Sequence, residues 1–198
     1  NEIISRNDGD KHLILVNGGP GTGKSVVAMQ IMGDLCRKGI SCVHVTNSSS
    51  FTTVIKSIIQ MKRDRIWGSK AVEGLFKLSH GWVKNKPKFE VAICDEAHRF
   101  RTSTDLFKAG LISRTPQAIE IMENVRVMVA FLDEKQRLRK AEQGTIDYFM
   151  RCAREAGVKP ENIHGPIELD VQFRNAGNKE FLEALDSVLY ENKPIGFS

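Results

Sequence analysis

The sequence has no C-x-x-C pair, no internal repeat, no low-complexity segment and no apolar run of membrane-spanning length. The opening residues, Asn1-Glu2-Ile3-Ile4-Ser5-Arg6, lack the apolar stretch of a secretion signal. These absences argue against a membrane span, a zinc ribbon and a disulfide scaffold. Cys36, Cys42, Cys94 and Cys152 therefore read as buried free thiols in a reducing compartment, and a cytoplasmic location is expected. Aromatics are 7% of the chain, whereas hydrophobic residues reach 41% and charged residues 27%, a soluble, globular balance. The 198 residues suffice for one domain with a real core, residues 1–11 forming a polar lead-in. The net charge of +5 is compatible with a polyanionic partner without requiring one.

What is present is organised around Gly18-Gly19-Pro20-Gly21-Thr22-Gly23-Lys24-Ser25, which fits G-x-x-x-x-G-K-[ST]. Leu13-Ile14-Leu15-Val16 feeds it as a strand, and Val26-Val27-Ala28-Met29 leaves it as a helix. A loop that wraps phosphate with its backbone N–H groups needs small residues, and the helix N-terminus adds partial positive charge. Gly19, Pro20, Gly21, Thr22 and Gly23 would form the cradle. Lys24 would hold the outer phosphates and Ser25 would ligate Mg²⁺.

The rest of the chain alternates strands and helices. Strands are expected at about 12–17, 41–46, 89–94, 125–132 and 167–171. Helices are expected at about 23–38, 51–61, 116–123, 144–155 and 178–190, with Thr115 capping the third. Val72, Leu75, Phe76 and Leu78 suggest a further helix, and the segment after Asp95-Glu96-Ala97-His98 reads as a polar loop. This alternation predicts an α/β fold, a mostly parallel sheet with helices on both faces. Ligands then bind at the carboxyl ends of the strands, where the polar motifs stand.

Asp95-Glu96 follows an apolar strand, so Asp95 suits Mg²⁺, usually through water, and Glu96 suits the attacking water. His98 is open between a relay and a core or capping residue. In Asp133-Glu134-Lys135-Gln136, Gln136 could contact the γ-phosphate or the attacking water, a solvated loop being the other reading; Arg174 could stabilise transition-state charge, a surface salt bridge being the other reading. Thr46, Asn47, Ser48 and Ser49 could bond nucleic-acid phosphates with Phe51 stacking on a base; helix capping by Ser50 with Phe51 in the core is the other reading. Lys84, Lys86, Lys88, Trp67 and Trp82 either extend that surface or form a solvated basic loop with packed tryptophans.

As a set, these residues resemble the first RecA-like domain of superfamily 1 helicases. The glycine loop corresponds to motif I, Val45-Thr46-Asn47 to the start of Ia, and Asp95-Glu96 to II. Asp133-x-x-Gln136 corresponds to III, and Gln172-Phe173-Arg174 to the core of IV. GGPGTGKSVVA, DEAHRF, FLDEKQRLR and QFRNAGN are more closely similar to the domain of unknown function family 2075, a Schlafen-group-3-like DNA/RNA helicase family, over about residues 13–190. The resemblance implies a RecA-like P-loop NTPase that binds ATP and Mg²⁺, with Lys24, Ser25, Asp95, Glu96, Gln136 and Arg174 in the roles above. It also implies single-stranded DNA or RNA across the top of the domain. No upstream glutamine motif stands in residues 1–17. Motifs V and VI do not follow motif IV, so the chain is expected to be a fragment of a longer protein that carries a second RecA-like domain, or else a truncated relative. The expected activity is that of an ATP-hydrolysing motor domain. A nucleotide-dependent switch that grips without translocating is the alternative. A small-molecule P-loop kinase lacks its Arg-rich lid.

Overall fold

A computed structural model describes residues 2–5, 9–50, 52–54, 57, 74–136 and 142–169. Among the described residues six strands form one sheet: β1 (His12–Gly18), β2 (Cys42–Thr46), β3 (Phe76–Leu78), β4 (Phe89–Cys94), β7 (Val125–Leu132) and β8 (Ile163–Leu169). Their spatial order is β3-β2-β4-β7-β1-β8. Every neighbouring pair is parallel. This is the expected α/β architecture.

A parallel sheet is covered on both faces, and its central strands are accordingly apolar on both. Leu13 and Leu15, Ala92 and Cys94, and Met128, Ala130 and Leu132 point to one side, alongside Trp82, Phe100, Ile119, Tyr148 and Phe149. Val16, Val91, Ile93, Val127, Val129 and Phe131 point to the other, against Met29, Met32 and Leu35. The period-2 alternation thus builds two cores from one set of strands. Helix α2 (Lys24–Arg37), after a single turn α1 (Glu2–Ser5), belongs to the second face. The short helices α3 (Trp82–Asn85) and α4 (Gln117–Met122) and the longer α5 (Ile146–Glu155) belong to the first.

Several local expectations are corrected. Residues 76–78 form an edge strand rather than a helix, because His44–Thr46 on β2 offers them a pairing partner. Three apolar residues close together fit either period, and the pairing decides. The strand expected at 167–171 already begins at Ile163 and is described as far as Leu169, residues 170 and 171 lying outside the described residues; Gly165 and Pro166 hide its start, and such residues are tolerated on an edge strand. The polar segment after Asp95 contains a hairpin, β5 (Thr104–Leu106) and β6 (Leu111–Ser113). Pro116, not Thr115, occupies the cap position of α4, and no side chain caps it. Thr145, rather than Gly144, opens α5, its Oγ1 accepting the Tyr148 N–H at 3.0 Å. Cys42, Cys94 and Cys152 are buried free thiols, but Cys36 is exposed at the end of α2. Helical residues begin at Ser49, and most of the expected 51–61 helix lies outside the described residues, as does all of 178–190. Among the described residues no helix is long and apolar enough to cross a membrane.

Candidate nucleotide site

The glycine loop connects β1 to α2, and Asp95 follows β4. Strand β7 lies between β1 and β4, so the two motifs start about 10 Å apart, two strand spacings. Ser25, in the first turn of α2, spans that gap: its Oγ donates to Asp95 Oδ2 at 2.7 Å. Asp95 Oδ1 accepts the Glu96 N–H at 3.0 Å, and the Asp95 N–H is tied to Val45 O at 2.8 Å. The carboxylate is 2% exposed and fixed from both sides.

The loop has the form a phosphate cradle requires. Gly21 and Gly23 lie in the left-handed region at φ 78° and 80°, where a side chain would strain the backbone. A Cβ at Gly18 would sit 2.6 Å from Thr22 Oγ1, so that position too must stay bare. Lys24 Nζ donates to Gly18 O and Gly19 O, both at 2.7 Å, which holds the ammonium over the loop. Two hard oxygen donors beside a glycine cradle fit Mg²⁺ with a phosphate ester. That ion takes few protein ligands and fills its sphere with phosphate oxygens and water. No group of three His, Cys, Asp or Glu side chains suited to a metal occurs among the described residues.

Glu96 adopts a left-handed backbone, φ 52°, rare for a residue with a Cβ. This turn leads into the 3₁₀ segment Ala97–Arg99 and places His98 Nε2 3.4 Å from Glu96 Oε2. The contact from His98 holds the Glu96 carboxyl below the usual range, aided by the charges of His98, Arg99 and Lys24 and opposed by burial. Lys24 and Glu96 thus share one electrostatic neighbourhood. His98 is 1% exposed, a core residue whose ring faces the acid.

Asp133 follows β7, between the two motifs. It is 2% exposed; Oδ1 accepts the Lys135 N–H, and Oδ2 has no hydrogen-bond partner among the described residues. Gln136 closes the same turn, its N–H donating to Asp133 O at 3.1 Å. Arg174 and Phe51 lie outside the described residues.

The turn after β2 is engaged internally. Thr46 is buried, and its Oγ1 accepts the Ser48 N–H. Asn47 Nδ2 donates to Arg99 O at 2.7 Å and to Gln117 Oε1 at 3.3 Å, while its Oδ1 accepts from Ser79 Oγ. Gln117 is the hub: Oε1 also accepts from Ser79 Oγ at 2.9 Å and from Arg101 N at 3.2 Å, and Nε2 donates to Thr104 Oγ1 at 3.1 Å. Trp82 is fully buried, its Nε1 bonded to Pro87 O, whereas Lys84, Lys86 and Lys88 are exposed.

Two further groups escaped sequence reasoning. His44 lies fully buried on β2 with Nε2 3.8 Å from Asp95 Oδ2; burial holds its pKa down against the pull of that carboxylate. The available signal was a histidine in the middle of the apolar run Cys42–Thr46. Gln117 falls inside the helix expected at about 116–123 without standing out, since a buried amide leaves no pattern in a single sequence.

The glycine loop on the carboxyl edge of a parallel sheet, facing an acid from the next-but-one strand, defines a P-loop nucleotide-binding domain. Residues 11–195 match the family model for the Schlafen group 3 DNA/RNA helicase domain, and the chain belongs to that family. Among solved structures it is similar to the flagellar accessory protein FlaH from Methanocaldococcus jannaschii, with 15% identity and a TM-score of 0.40 over 77% of this chain and 74% of that one. A search of curated proteins gives no significant match.

Proposed function

We propose that this domain binds ATP·Mg²⁺ and hydrolyses it as the first RecA-like domain of a superfamily 1-type DNA/RNA helicase or translocase. The observation that carries the reading is the 2.7 Å contact of Ser25 with Asp95 beside the Lys24 ammonium. Lys24 would neutralise the β- and γ-phosphates. Ser25 would hold Mg²⁺ directly and Asp95 through water; the ion supplies charge neutralisation at the phosphates. Glu96, kept ionised by His98, would orient the attacking water and take its proton as the water oxygen bonds the γ-phosphorus and ADP leaves. Gln136 and Arg174 are assigned to the γ-phosphate as sensor and charge stabiliser. Nucleic acid would cross the carboxyl edge of the sheet near Thr46, Asn47, Ser48 and Phe51. A motor of this type works between two such domains, so a second RecA-like domain is proposed for the full-length protein, and this domain alone should turn over slowly without unwinding duplex.

The test is steady-state ATPase activity with and without single-stranded DNA or RNA, alongside Lys24→Ala. The expected result is slow, Mg²⁺-dependent hydrolysis that Lys24→Ala abolishes and a single strand alters. A rate that stays flat across every nucleic acid would overturn the motor reading in favour of a nucleotide switch, and a rate that Lys24→Ala leaves untouched would overturn the site.

A further inference from the structure

The β5–β6 hairpin has no role in the nucleotide site, yet it carries the most exposed large apolar side chain among the described residues. Phe107, at the start of the tip, is 80% exposed, and Ile112 is 58% exposed. Register divides the hairpin into two faces. Thr104 pairs with Ser113 and Leu106 with Leu111 on one, Asp105 with Ile112 on the other. Thr104 is buried and bonded to Gln117, so the base of the hairpin is anchored. The tip turns at Gly110, φ 61°, and Lys84 Nζ reaches Ala109 O at 3.5 Å. The anchored turn thus holds the Phe107 ring out in water.

Lys84, whose Nζ meets the tip, is exposed, as is Arg114, next to β6 in sequence. Beside the hairpin, Asn47, His80, Arg99, Arg101, Thr104 and Leu106 help to line a cleft of about 210 Å³. Glu142 on its wall already faces Arg99, 3.5 Å away, and Asp105 is the other carboxylate on that wall. Two apolar side chains make too small a patch for the core of a protein–protein interface, which needs about 800 Å² a side. An isolated aromatic with Lys84 at its turn and the Arg101 cleft along its base fits a polymer of alternating flat rings and phosphates.

We propose that the hairpin is a single-stranded nucleic-acid grip, with Phe107 stacking on a base and Lys84 contacting a flanking phosphate while the strand runs on over the Arg101 cleft. The inference rests on the reading above that this domain engages nucleic acid, and it assigns the contact to residues outside the helicase-type motifs. A strand held there lies on the carboxyl edge of the sheet, on the β2 and β3 side away from the glycine loop.

The experiment is fluorescence anisotropy of labelled 20-mer oligo-dT and oligo-U against the 198-residue chain over a salt series. Phe107→Ala should weaken binding about 5- to 150-fold, the range of one stacked base, and leave the salt slope unchanged. Phe107→Trp should restore affinity. Lys84→Ala should reduce the slope of log K against log salt by about one. Thermal unfolding of each variant checks the fold, and the salt slope of Lys84→Ala carries the test if Phe107→Ala is damaged. If the unaltered chain binds the oligomers and both alanine variants match it in affinity and slope, the hairpin assignment is wrong while nucleic-acid binding stands. If the unaltered chain binds neither oligomer, the nucleic-acid reading itself falls and the grip with it.

Discussion

Ser25 Oγ donates to Asp95 Oδ2 across 70 positions of sequence, at 2.7 Å. The pair joins the first turn of α2 to the end of β4, so it is both a structural tie and the oxygen pair proposed for Mg²⁺. Ser25→Ala and Asp95→Asn should each weaken Mg²⁺-dependent nucleotide binding by about 10- to 100-fold, the range for disturbed metal-site partners. The double variant should fall short of the sum by about 0.5–3 kcal/mol, because the two side chains act as a unit. Calorimetric titration of nucleotide at several Mg²⁺ concentrations measures both. Full additivity would separate the residues.

Glu96→Gln should lower the hydrolysis rate by about 10²- to 10⁴-fold while nucleotide still binds, since the amide cannot take a proton. The His98 contact depresses the Glu96 carboxyl below its ordinary 4.5, so the acid limb of the pH–rate profile should lie below that value. His98→Ala should move the limb upward. The sign for stability follows the same shift: the contribution is present above the unfolded pKa and is lost as pH falls through the lower folded one. An acid limb unmoved by His98→Ala would remove His98 from the site.

Gly144→Ala should damage a region that looks remote in sequence. A Cβ there would stand 2.0 Å from Ala97 O and 2.7 Å from His98 Cα, and the Gly144 N–H already donates to His98 O. The backbone must shift, at a cost of about 1–3 kcal/mol. For a domain of this size that is roughly 2–4 °C of melting temperature per kcal/mol, readable by calorimetry. Because the displaced turn carries Glu96 and His98, ATPase activity should fall as well. A variant that melts and hydrolyses like the unaltered chain would contradict the packing.

Cys36 should be the thiol that iodoacetamide finds first. It is exposed, 3.5 Å from Cys42 Sγ, and is drawn down to about 7 by that contact, aided by Arg37 and opposed by burial. Burial pushes Cys94 up, and Cys152 up to about 11; Cys42 is raised chiefly by its contact with Cys36. Alkylation near pH 7.5 followed by peptide mass spectrometry should show selective labelling, slowed by Cys42→Ala. Faster labelling at Cys152 would refute the assignment.

The elements legible in the sequence were those whose residues had a single physical use. A strand buried on both faces, as β1, β4 and β7 are, must be a continuous apolar run, and a phosphate cradle must be small residues ending in Lys24-Ser25. Short edge elements carry no such constraint: Phe76–Leu78 and the two three-residue arms of the hairpin take their form from partners elsewhere in the chain. The acids at the strand ends were readable because an apolar strand stops at them. Asn47 stood where a motif suggested a ligand contact, yet its amide also serves Gln117, Ser79 and Arg99, a geometry that depends on four separate segments.

The Gln117 hub bears on what binding would cost these loops. One buried amide fastens the segments of Asn47, Ser79, Arg101 and Thr104, so their backbone freedom is lost when the chain folds. A ligand arriving over them meets a surface already set, and little of its interaction energy is diverted to ordering the protein.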